Sequence, residues 1–384
     1  MNWEQLLSTK RSRGSSNKNK YLKNTDLRSE FEKDYHRIIG SASFRRLQDK
    51  TQVFPLDKSD FIRTRLTHSL EVSSFAKSLG QNIGENILLY KKDPGFTPRM
   101  KEDICSILQC AGLIHDIGNP PFGHFGELAI REWFERNLPI LKFHGEPINQ
   151  ILTERMREDL YHFEGNAQAL RLVSKLHFLV DEHGMNLTYA LLNTIVKYPV
   201  ASDEIDPKSG NIKDKKLGYY LADENIFREI QEATGTNGRR HPLTFILEAA
   251  DDIAYKTADI EDAFIKGFIS YQKLLEELTE LQVMYGKSDA NAFNPARLLD
   301  ELYLRGKDKH VEDPEEYAIK NWIVRVQGFL INCATYGFTS NYNEIMAGRY
   351  EHDLFYHTFA EKLMDMLGVF AFRGVFTSDT SYRM

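Results

Sequence analysis

The feature that most constrains this chain is a run of apolar residues with helical spacing that ends at two polar residues. Apolar side chains recur at i, i+3, i+4, i+7 and i+10 in Ile104, Ile107, Leu108, Ala111 and Ile114. This spacing is typical of one buried helix face. His115 and Asp116 follow directly, and Gly118, Pro120 and Pro121 then prevent the helix from continuing. The pattern predicts a buried helix with a histidine and a carboxylate at its C-terminal end.

Helical periodicity also dominates the rest of the chain. Similar spacing predicts helices at roughly 69–90, 126–138, 165–180, 186–197, 241–266, 270–284, 314–335 and 352–368. Period-2 stretches are few and short, so we expect a mainly α fold, with a helical core, additional peripheral helices and few short strands. The polar segment 202–216, which Pro and Gly interrupt, is predicted to be an exposed loop between helices.

The composition limits the classes of protein to consider. A chain of 384 residues allows one large domain or two smaller ones. With 42% hydrophobic residues, 27% charged residues and a net charge of -6, it is an ordinary globular sequence without an overall nucleic-acid-binding signature. The first residues are rich in Ser, Asn, Lys and Arg, which favours a mobile basic arm, with a phosphate-binding tail as the alternative.

The cysteines and the N-terminus indicate the compartment. Cys105, Cys110 and Cys333 show no CxxC spacing, which fits a reducing compartment and argues against a zinc site made of thiolates. The N-terminus has no apolar signal segment, and no run of about 18 apolar residues occurs in the chain. We therefore expect a cytoplasmic protein that makes no contact with a membrane.

Histidines and carboxylates in helical contexts are candidate metal ligands. They are His68, His115, Asp116 and Asp251. Imidazoles and carboxylates hold divalent ions where thiolates are absent, and this set leaves coordination positions for water and substrate. A buried Asp116 beside His115 would also be costly without a cation or another partner. The alternative for each isolated histidine is an ordinary core or surface residue.

Two further groups of polar residues accompany these ligands. Asp251, Tyr255 and Asp259 are spaced i, i+4 and i+8 and so share a helix face, which suits a hydroxyl-bearing substrate beside a metal. A solvated acidic face is the alternative.

His124 and Glu127 are three residues apart, so the carboxylate can orient the imidazole as an acid/base pair. Alternatively, Glu127 is a first-turn acid that the helix dipole favours.

Several segments together resemble the deoxyguanosinetriphosphate triphosphohydrolase family of HD-domain metal-dependent phosphohydrolases. They are FRRLQDKTQVFPL (44–56), RTRLTHSLEV (63–72), AGLIHDIGNPPFGHFGE (111–127), FEGNAQALRLV (163–173), VKYP (196–199) and HPLTFILEAADDIAYKTADIEDA (241–263). The resemblance extends from about residue 25 to 266. It implies an HD-type helical core at 25–270, after a basic arm at 1–24. A helical region at 271–384 would complete the substrate pocket or an oligomer interface.

The resemblance implies hydrolysis of a deoxynucleoside triphosphate, dGTP by default, to the deoxynucleoside and tripolyphosphate. A divalent ion, Mn2+ or Mg2+ foremost and Co2+, Ni2+ or Fe2+ as alternatives, would be held by His68, His115, Asp116 and Asp251. His124 and Glu127 match the catalytic pair. The matching substrate contacts are Arg65 for phosphate, Tyr255 and Asp259 for the sugar, Gln48 for the deoxyribose, and Asn166, Lys197, Tyr198 and Lys216. Arg and Lys suit a polyphosphate.

The resemblance also implies a homo-oligomer, of which a hexamer is one form. Some relatives need a nucleotide activator, and single-stranded DNA is a second kind of effector to consider. After residue 266 the chain is shorter than the longest members, in the region that contributes to base recognition. Two rivals share part of the pattern: another HD-domain nucleotidase or phosphodiesterase, and a non-catalytic nucleic-acid-binding or regulatory protein that uses the basic arm and Arg239 and Arg240.

Overall fold

Helices make up most of the protein. The computed structural model describes residues 1–14, 26–50, 63–178, 181–285 and 293–371. Within these ranges the chain forms seventeen α-helices and one antiparallel two-stranded hairpin. The prediction of a mainly α fold with few short strands is confirmed.

The elements follow in chain order. The first are α1 (Trp3–Leu6), α2 (Glu30–Ile39), α3 (Ala42–Arg45), α4 (Arg65–Asn86), α5 (Pro98–Ile114) and α6 (Gly123–Asn137). The hairpin of β1 (Lys142–Phe143) and β2 (Glu146–Pro147) precedes α7 (Ile148–Ile151), α8 (Glu154–Tyr161), α9 (Gly165–Arg171), α10 (Tyr189–Thr194) and α11 (Glu224–Thr234). The remaining helices are α12 (Pro242–Ile265), α13 (Tyr271–Tyr285), α14 (Pro295–Asp308), α15 (Pro314–Ser340), α16 (Tyr342–Ala347) and α17 (Glu361–Ala371).

The helix predictions differ from the structure at some boundaries. The helix expected at 352–368 is wrong in its first half, because α17 begins only at Glu361. His357 has a φ of 56°, in the left-handed region, which interrupts a right-handed helical path. Periodicity alone also missed α2, although its start carries a recognisable signal: Ser29 and Glu32 form a capping box.

The segment predicted to be a loop, 202–216, is irregular except for two short 3₁₀ turns at Ser202–Glu204 and Ile212–Asp214. Ser202 and Ile212 are buried, whereas residues 206–210 are exposed. The predicted loop is therefore exposed over most of its length but anchored by these two buried side chains. Its last residue, Lys216, is half-buried.

The chain divides into two units. The first comprises Met1–Asp251 and Phe338–Asp353, and the second comprises Asp252–Gly337 and Leu354–Met384. The division expected from the sequence, at 24/25 and 270/271, stays a prediction. None of the helices in the described ranges combines the length and apolarity needed to cross a membrane.

The close packing of α4 against α5 dominates the first unit near the candidate ligands. Leu79 and Ile83 on α4 and Ile104 and Leu108 on α5 are fully buried, and burial of each such side chain contributes about 1.5–3 kcal/mol. The helices touch through their backbones at Gly112, where a Cβ atom would lie 2.5 Å from the Cα of Ser73. Glycine is therefore required at position 112, and this contact brings α4 and α5 close together.

In the second unit, tyrosine and tryptophan side chains connect α13, α14 and α15. The rings of Tyr271 and Tyr303 stack with their centroids 4.8 Å apart. The buried indole of Trp322 donates a hydrogen bond to the carbonyl of Pro295 at 2.8 Å. A buried indole N–H needs such an acceptor, so this bond fixes the register between α14 and α15.

Candidate active site

Three of the four predicted metal ligands come together in the first unit. His68 lies on the buried face of α4, His115 caps the C-terminal end of α5, and Asp251 lies on α12. One ligand atom from each lies within 4.8 Å of the other two. The Oδ1 atom of Asp251 is 3.2 Å from Nε2 of His68 and 3.3 Å from Nε2 of His115. Donor atoms that converge in this way can hold one cation.

The tautomer of His115 suits a ligand. Its Nδ1 atom lies 2.8 Å from the carbonyl oxygen of Gly112, to which it donates a hydrogen bond. The other ring nitrogen, Nε2, is buried and forms no hydrogen bond within the described part of the chain. In the neutral ring this nitrogen carries a lone pair, so the backbone orients the imidazole for metal binding.

Asp251 stays ionised in this setting. Its second oxygen, Oδ2, accepts a hydrogen bond from Nζ of Lys197 at 2.9 Å. Burial opposes the negative charge, but Lys197 is foremost among the groups that hold the pKa of Asp251 well below its ordinary value. Burial likewise opposes the charge on Lys197, and Asp251 outweighs it, which raises the pKa of this lysine. Lys197 therefore lies beside the ligand cluster, and its role as a substrate contact stays a prediction.

Asp116, the fourth predicted ligand, makes different contacts. Its Oδ2 atom accepts a hydrogen bond from Arg65 at 2.5 Å, and its Oδ1 atom accepts one from the side-chain amide of Asn119 at 2.7 Å. Oδ1 is also 3.5 Å from Nε2 of His115. Asp116 thus borders the cluster and joins it to Arg65, a predicted phosphate contact, but it does not belong to the closest group of donor atoms. Its role as a ligand stays a prediction.

The predicted acid/base pair is formed on the first turn of α6. Nδ1 of His124 donates to Oε2 of Glu127 at 3.0 Å, while the His124 side chain is 87% exposed and that of Glu127 only 5%. The second oxygen of Glu127 accepts the backbone N–H of Gly165 at 2.8 Å. Burial alone would raise the pKa of Glu127, but the hydrogen bond from His124 and the charge of Lys216 lower it below its ordinary value. The carboxylate thus stays charged behind an accessible imidazole.

A close backbone contact positions this pair relative to α9. A Cβ atom on Gly118 would lie 2.1 Å from the amide nitrogen of Ala169 and 2.3 Å from the carbonyl oxygen of Gly165. Only a glycine allows the turn after His115 to approach the N-terminal end of α9 so closely. This contact brings the N–H of Gly165 within reach of Glu127.

A buried carboxylate that the sequence interpretation did not identify connects other predicted residues. Glu164 accepts a hydrogen bond from the amide of Asn166 at 2.7 Å, and its Oε2 atom lies 3.0 Å from Nζ of Lys216 and 3.2 Å from Nη2 of Arg131. Its position in FEGNAQ, two residues before Asn166, was the available signal. For Arg131 the signal was its place four residues after Glu127 on a helix.

The remaining predicted substrate contacts lie on three separate segments of the chain. Gln48 is exposed in the turn Arg46–Asp49. Tyr198 is half-buried, and burial raises its pKa to about 12. Tyr255 and Asp259 lie further along α12 in the second unit, where Asp259 is buried, which disfavours a fully solvated acidic face. The substrate roles of these residues stay predictions.

A cavity of about 800 Å³ lies beside Glu164 in the first unit. Four basic side chains line it: Arg131, Arg155, Lys215 and Lys216. The Nε and Nη2 atoms of Arg155 are buried without a hydrogen-bond partner in the described residues. The carboxylates in its wall are Glu154, Glu158 and Asp203.

Comparison with known proteins identifies the family. The family model for the HD domain matches residues 65–256. The deoxyguanosinetriphosphate triphosphohydrolase-like protein of Listeria innocua is 48% identical over 377 residues, which cover 98% of this chain and 78% of the relative. The deoxyguanosinetriphosphate triphosphohydrolase of Yersinia pestis is 37% identical in an alignment of 356 residues that covers 84% of this chain and 67% of the relative. The chain belongs to this family of HD-domain proteins. The resemblance inferred from the motifs is thereby confirmed.

Membership in the HD domain family implies a divalent metal ion, and the residues of this HD-domain protein fit one. The free Nε2 lone pair of buried His115, the imidazole of His68 and the ionised Asp251 form a donor set typical of divalent transition metals. Without a cation, the buried nitrogen of His115 would remain unsatisfied, which is unfavourable. The geometry therefore supports one metal site formed by His68, His115 and Asp251.

Proposed function

We propose that this HD-domain protein is a metal-dependent hydrolase that converts a deoxynucleoside triphosphate to the deoxynucleoside and tripolyphosphate, with dGTP as the preferred substrate. The observation that carries this proposal is the convergence of His68, His115 and Asp251 in a chain that also holds an exposed imidazole backed by a buried carboxylate. The names of the relatives from Listeria innocua and Yersinia pestis supply the substrate class.

The protein residues divide the chemistry between them. A bound divalent ion would polarise a phosphoryl oxygen and make a water more acidic at neutral pH. Arg65 and Lys197, which lie beside the donor cluster, would bind the negatively charged phosphates. His124 would donate a proton to the departing 5′-oxygen or take one from the attacking water, while Glu127 fixes the orientation of the ring and stabilises its charged form.

Fewer contacts support the roles of the other predicted site residues, which are also part of the proposal. We assign Asp116 to the metal as a fourth ligand, since its carboxylate is 3.5 Å from Nε2 of His115. Asn166 and Lys216 would contact the substrate from the side of Glu164, and Tyr198 would contact it beside Lys197. Gln48, Tyr255 and Asp259 would contact the sugar. For the metal we favour Mn2+ or Mg2+ over Co2+, Ni2+ and Fe2+, and metal analysis of the purified protein distinguishes them.

Product analysis tests this function. Protein loaded with metal is incubated with each of the four dNTPs, and the nucleoside and phosphate products are separated. Deoxyguanosine and tripolyphosphate from dGTP, formed faster than the products of the other dNTPs, are expected. Release of dGMP with pyrophosphate, or of single phosphate, would rule out the triphosphohydrolase reaction. Equal rates for all four substrates would refute only the preference for dGTP.

We also propose that the protein forms a homo-oligomer, of which a hexamer is one form. Glu127 is the single buried residue of α6. Around this helix the chain exposes large apolar side chains at Phe122, Phe125, Leu128, Trp133, Ile140, Phe143 and Ile151. Exposed apolar side chains in such number are typical of an interaction surface. Sedimentation should show dissociation in Trp133→Glu but not in Leu304→Glu, a control with similar exposure in the second unit. Unchanged assembly in Trp133→Glu would refute this surface.

The cavity near Glu164 supports a proposal for an effector. Its volume of about 800 Å³ suits a nucleotide better than a DNA strand, and the Nη2 atom of Arg155, which forms no hydrogen bond within the described residues, can donate to phosphate. Binding of a nucleotide to metal-free protein should weaken in Arg155→Gln. Arg228→Gln is a matched control, because both arginines contact Glu224 and Arg228 does not line the cavity. Equal binding by the two variants would refute this location.

The cytoplasm is the compartment we propose. All three cysteines are free and buried, which suits a reducing environment. Fractionation of cells with an antibody against the protein checks this expectation.

A further inference from the structure

The side chain of Arg131 connects two buried carboxylates next to the proposed catalytic pair. Its Nη2 atom lies 3.2 Å from Oε2 of Glu164 and 3.8 Å from Oε2 of Glu127. Its Nε atom donates a hydrogen bond to the carbonyl of Phe163 at 2.8 Å. A planar guanidinium can make these contacts in two directions at once, which a lysine ammonium on a flexible chain cannot reproduce. Arg131 therefore fastens the segment 163–164 to α6.

This attachment determines what Glu127 can do. The N–H of Gly165, the residue after Glu164, donates to Oε1 of Glu127 at 2.8 Å. That bond occupies one carboxylate oxygen and directs the other toward Nδ1 of His124 at 3.0 Å. If the segment moved away from α6, Glu127 would lose the Gly165 bond and could rotate away from the imidazole. Within the described residues, the bond to Glu127 is the side-chain hydrogen bond that holds the exposed ring of His124.

The charged groups around His124 and Glu127 also favour this arrangement. Glu127 faces His124 and Arg131 on its own helix and Lys216 from the loop, while Glu164 is the acidic group on the opposite side. Arg131 and Lys216 each contact Glu164. Arg131 thus separates two buried carboxylates that would otherwise repel each other, and its loss would leave Glu164 with Lys216 as its remaining cation.

We propose that Arg131 is a positioning residue for the reaction: through Glu164, the Phe163 carbonyl and the Gly165 N–H, it holds Glu127 in the orientation that makes His124 an effective proton donor. It does not touch the substrate in this role. The inference rests on the proposed function, since the catalytic role of His124 and Glu127 belongs to that proposal.

Two variants and one control separate positioning from general structural damage. Arg131→Gln removes the positive charge and most of the hydrogen-bond donors of the guanidinium. Arg131→Lys keeps the positive charge but not the planar arrangement of donors. Arg136→Gln is the matched control, because Arg136 lies on the same helix and pairs with Glu132 at 2.7 Å on the exposed surface. For each protein, kcat and KM for dGTP, the dependence of kcat on pH, the metal content and the thermal unfolding temperature are measured.

The expected result is a kcat lowered by about 10- to 100-fold in Arg131→Gln, the size of effect typical for loss of charged hydrogen bonds around an acid/base group. KM and metal content should change little, and the pH dependence of kcat should shift. Arg131→Lys should recover part of kcat, and Arg136→Gln should match the wild type. The proposal is overturned if Arg131→Gln keeps the wild-type kcat and pH profile, or if its loss of activity only matches a loss of folded protein. An inactive wild type would instead refute the proposed function.

Discussion

His241 makes the folded first unit sensitive to acid, and this effect can be calculated from its surroundings. The side chain is fully buried just before α12. Its Nδ1 atom accepts the N–H of Leu243 at 3.2 Å, so the proton must lie on Nε2, which donates to the carbonyl of Leu6 at 3.2 Å. Burial of the ring opposes a positive charge and lowers the pKa of His241 from 6.5 to about 4.

The sign of the effect follows from proton uptake. Above pH 6.5 the imidazole is neutral in both the folded and the unfolded chain, so stability does not depend on its titration. Below that pH the imidazole becomes protonated in the unfolded chain, whereas the buried imidazole of the folded chain stays neutral down to about pH 4. Proton binding therefore favours the unfolded state in this range. At about 1.4 kcal/mol per pKa unit, the loss of unfolding free energy reaches about 3 kcal/mol across this window.

The variant His241→Gln tests this expectation, because glutamine cannot titrate. The free energy of unfolding is measured by urea denaturation, followed by intrinsic fluorescence, at several pH values between about 7 and about 4.5. Carboxylates contribute equally to both proteins, so the difference between wild type and variant isolates the histidine. The wild type should lose about 2–3 kcal/mol more than His241→Gln over this range. Parallel curves for the two proteins would refute the reasoning.

Changes at the site itself have separable outcomes. His124→Ala should lower kcat by about 10²- to 10⁴-fold and keep its metal content. His115→Ala should lose both the metal and turnover. Loss of metal in His124→Ala would contradict the separate roles of His115 in metal binding and His124 in proton transfer. Gly112→Ala should destabilise the protein by about 1–3 kcal/mol and weaken metal binding, because its Cβ would meet Ser73 at 2.5 Å. In contrast, Gly328→Ala meets no atom within 4 Å and should not be destabilising. Removal of the metal by a chelator should lower the free energy of unfolding by about 2.7 kcal/mol relative to protein with metal present at 100-fold its Kd. This difference should be absent in His115→Ala.

Much of the candidate site could be predicted because its signals are local. The spacing from Ile104 to Ile114 specified a buried helix that ends at His115, and the interval between His124 and Glu127 specified a contact across one helical turn. Such patterns depend only on the geometry of one helix, which is the same in any fold. The motifs also identified the family, since they keep their order along the chain.

The sequence by itself determined the mainly α class, most of the long helices, the types of candidate ligand and the family of this protein. The tertiary structure decided which residues meet: Asp251 joins His68 and His115, whereas Asp116 turns toward Arg65 and Asn119. It also decided the contact of Arg131 with Glu164. Apart from the bond between Asp116 and Asn119, these contacts join residues far apart in the chain, and they depend on how closely helices approach, as at Gly112. No local spacing encodes that distance, because it results from the packing of many side chains at once.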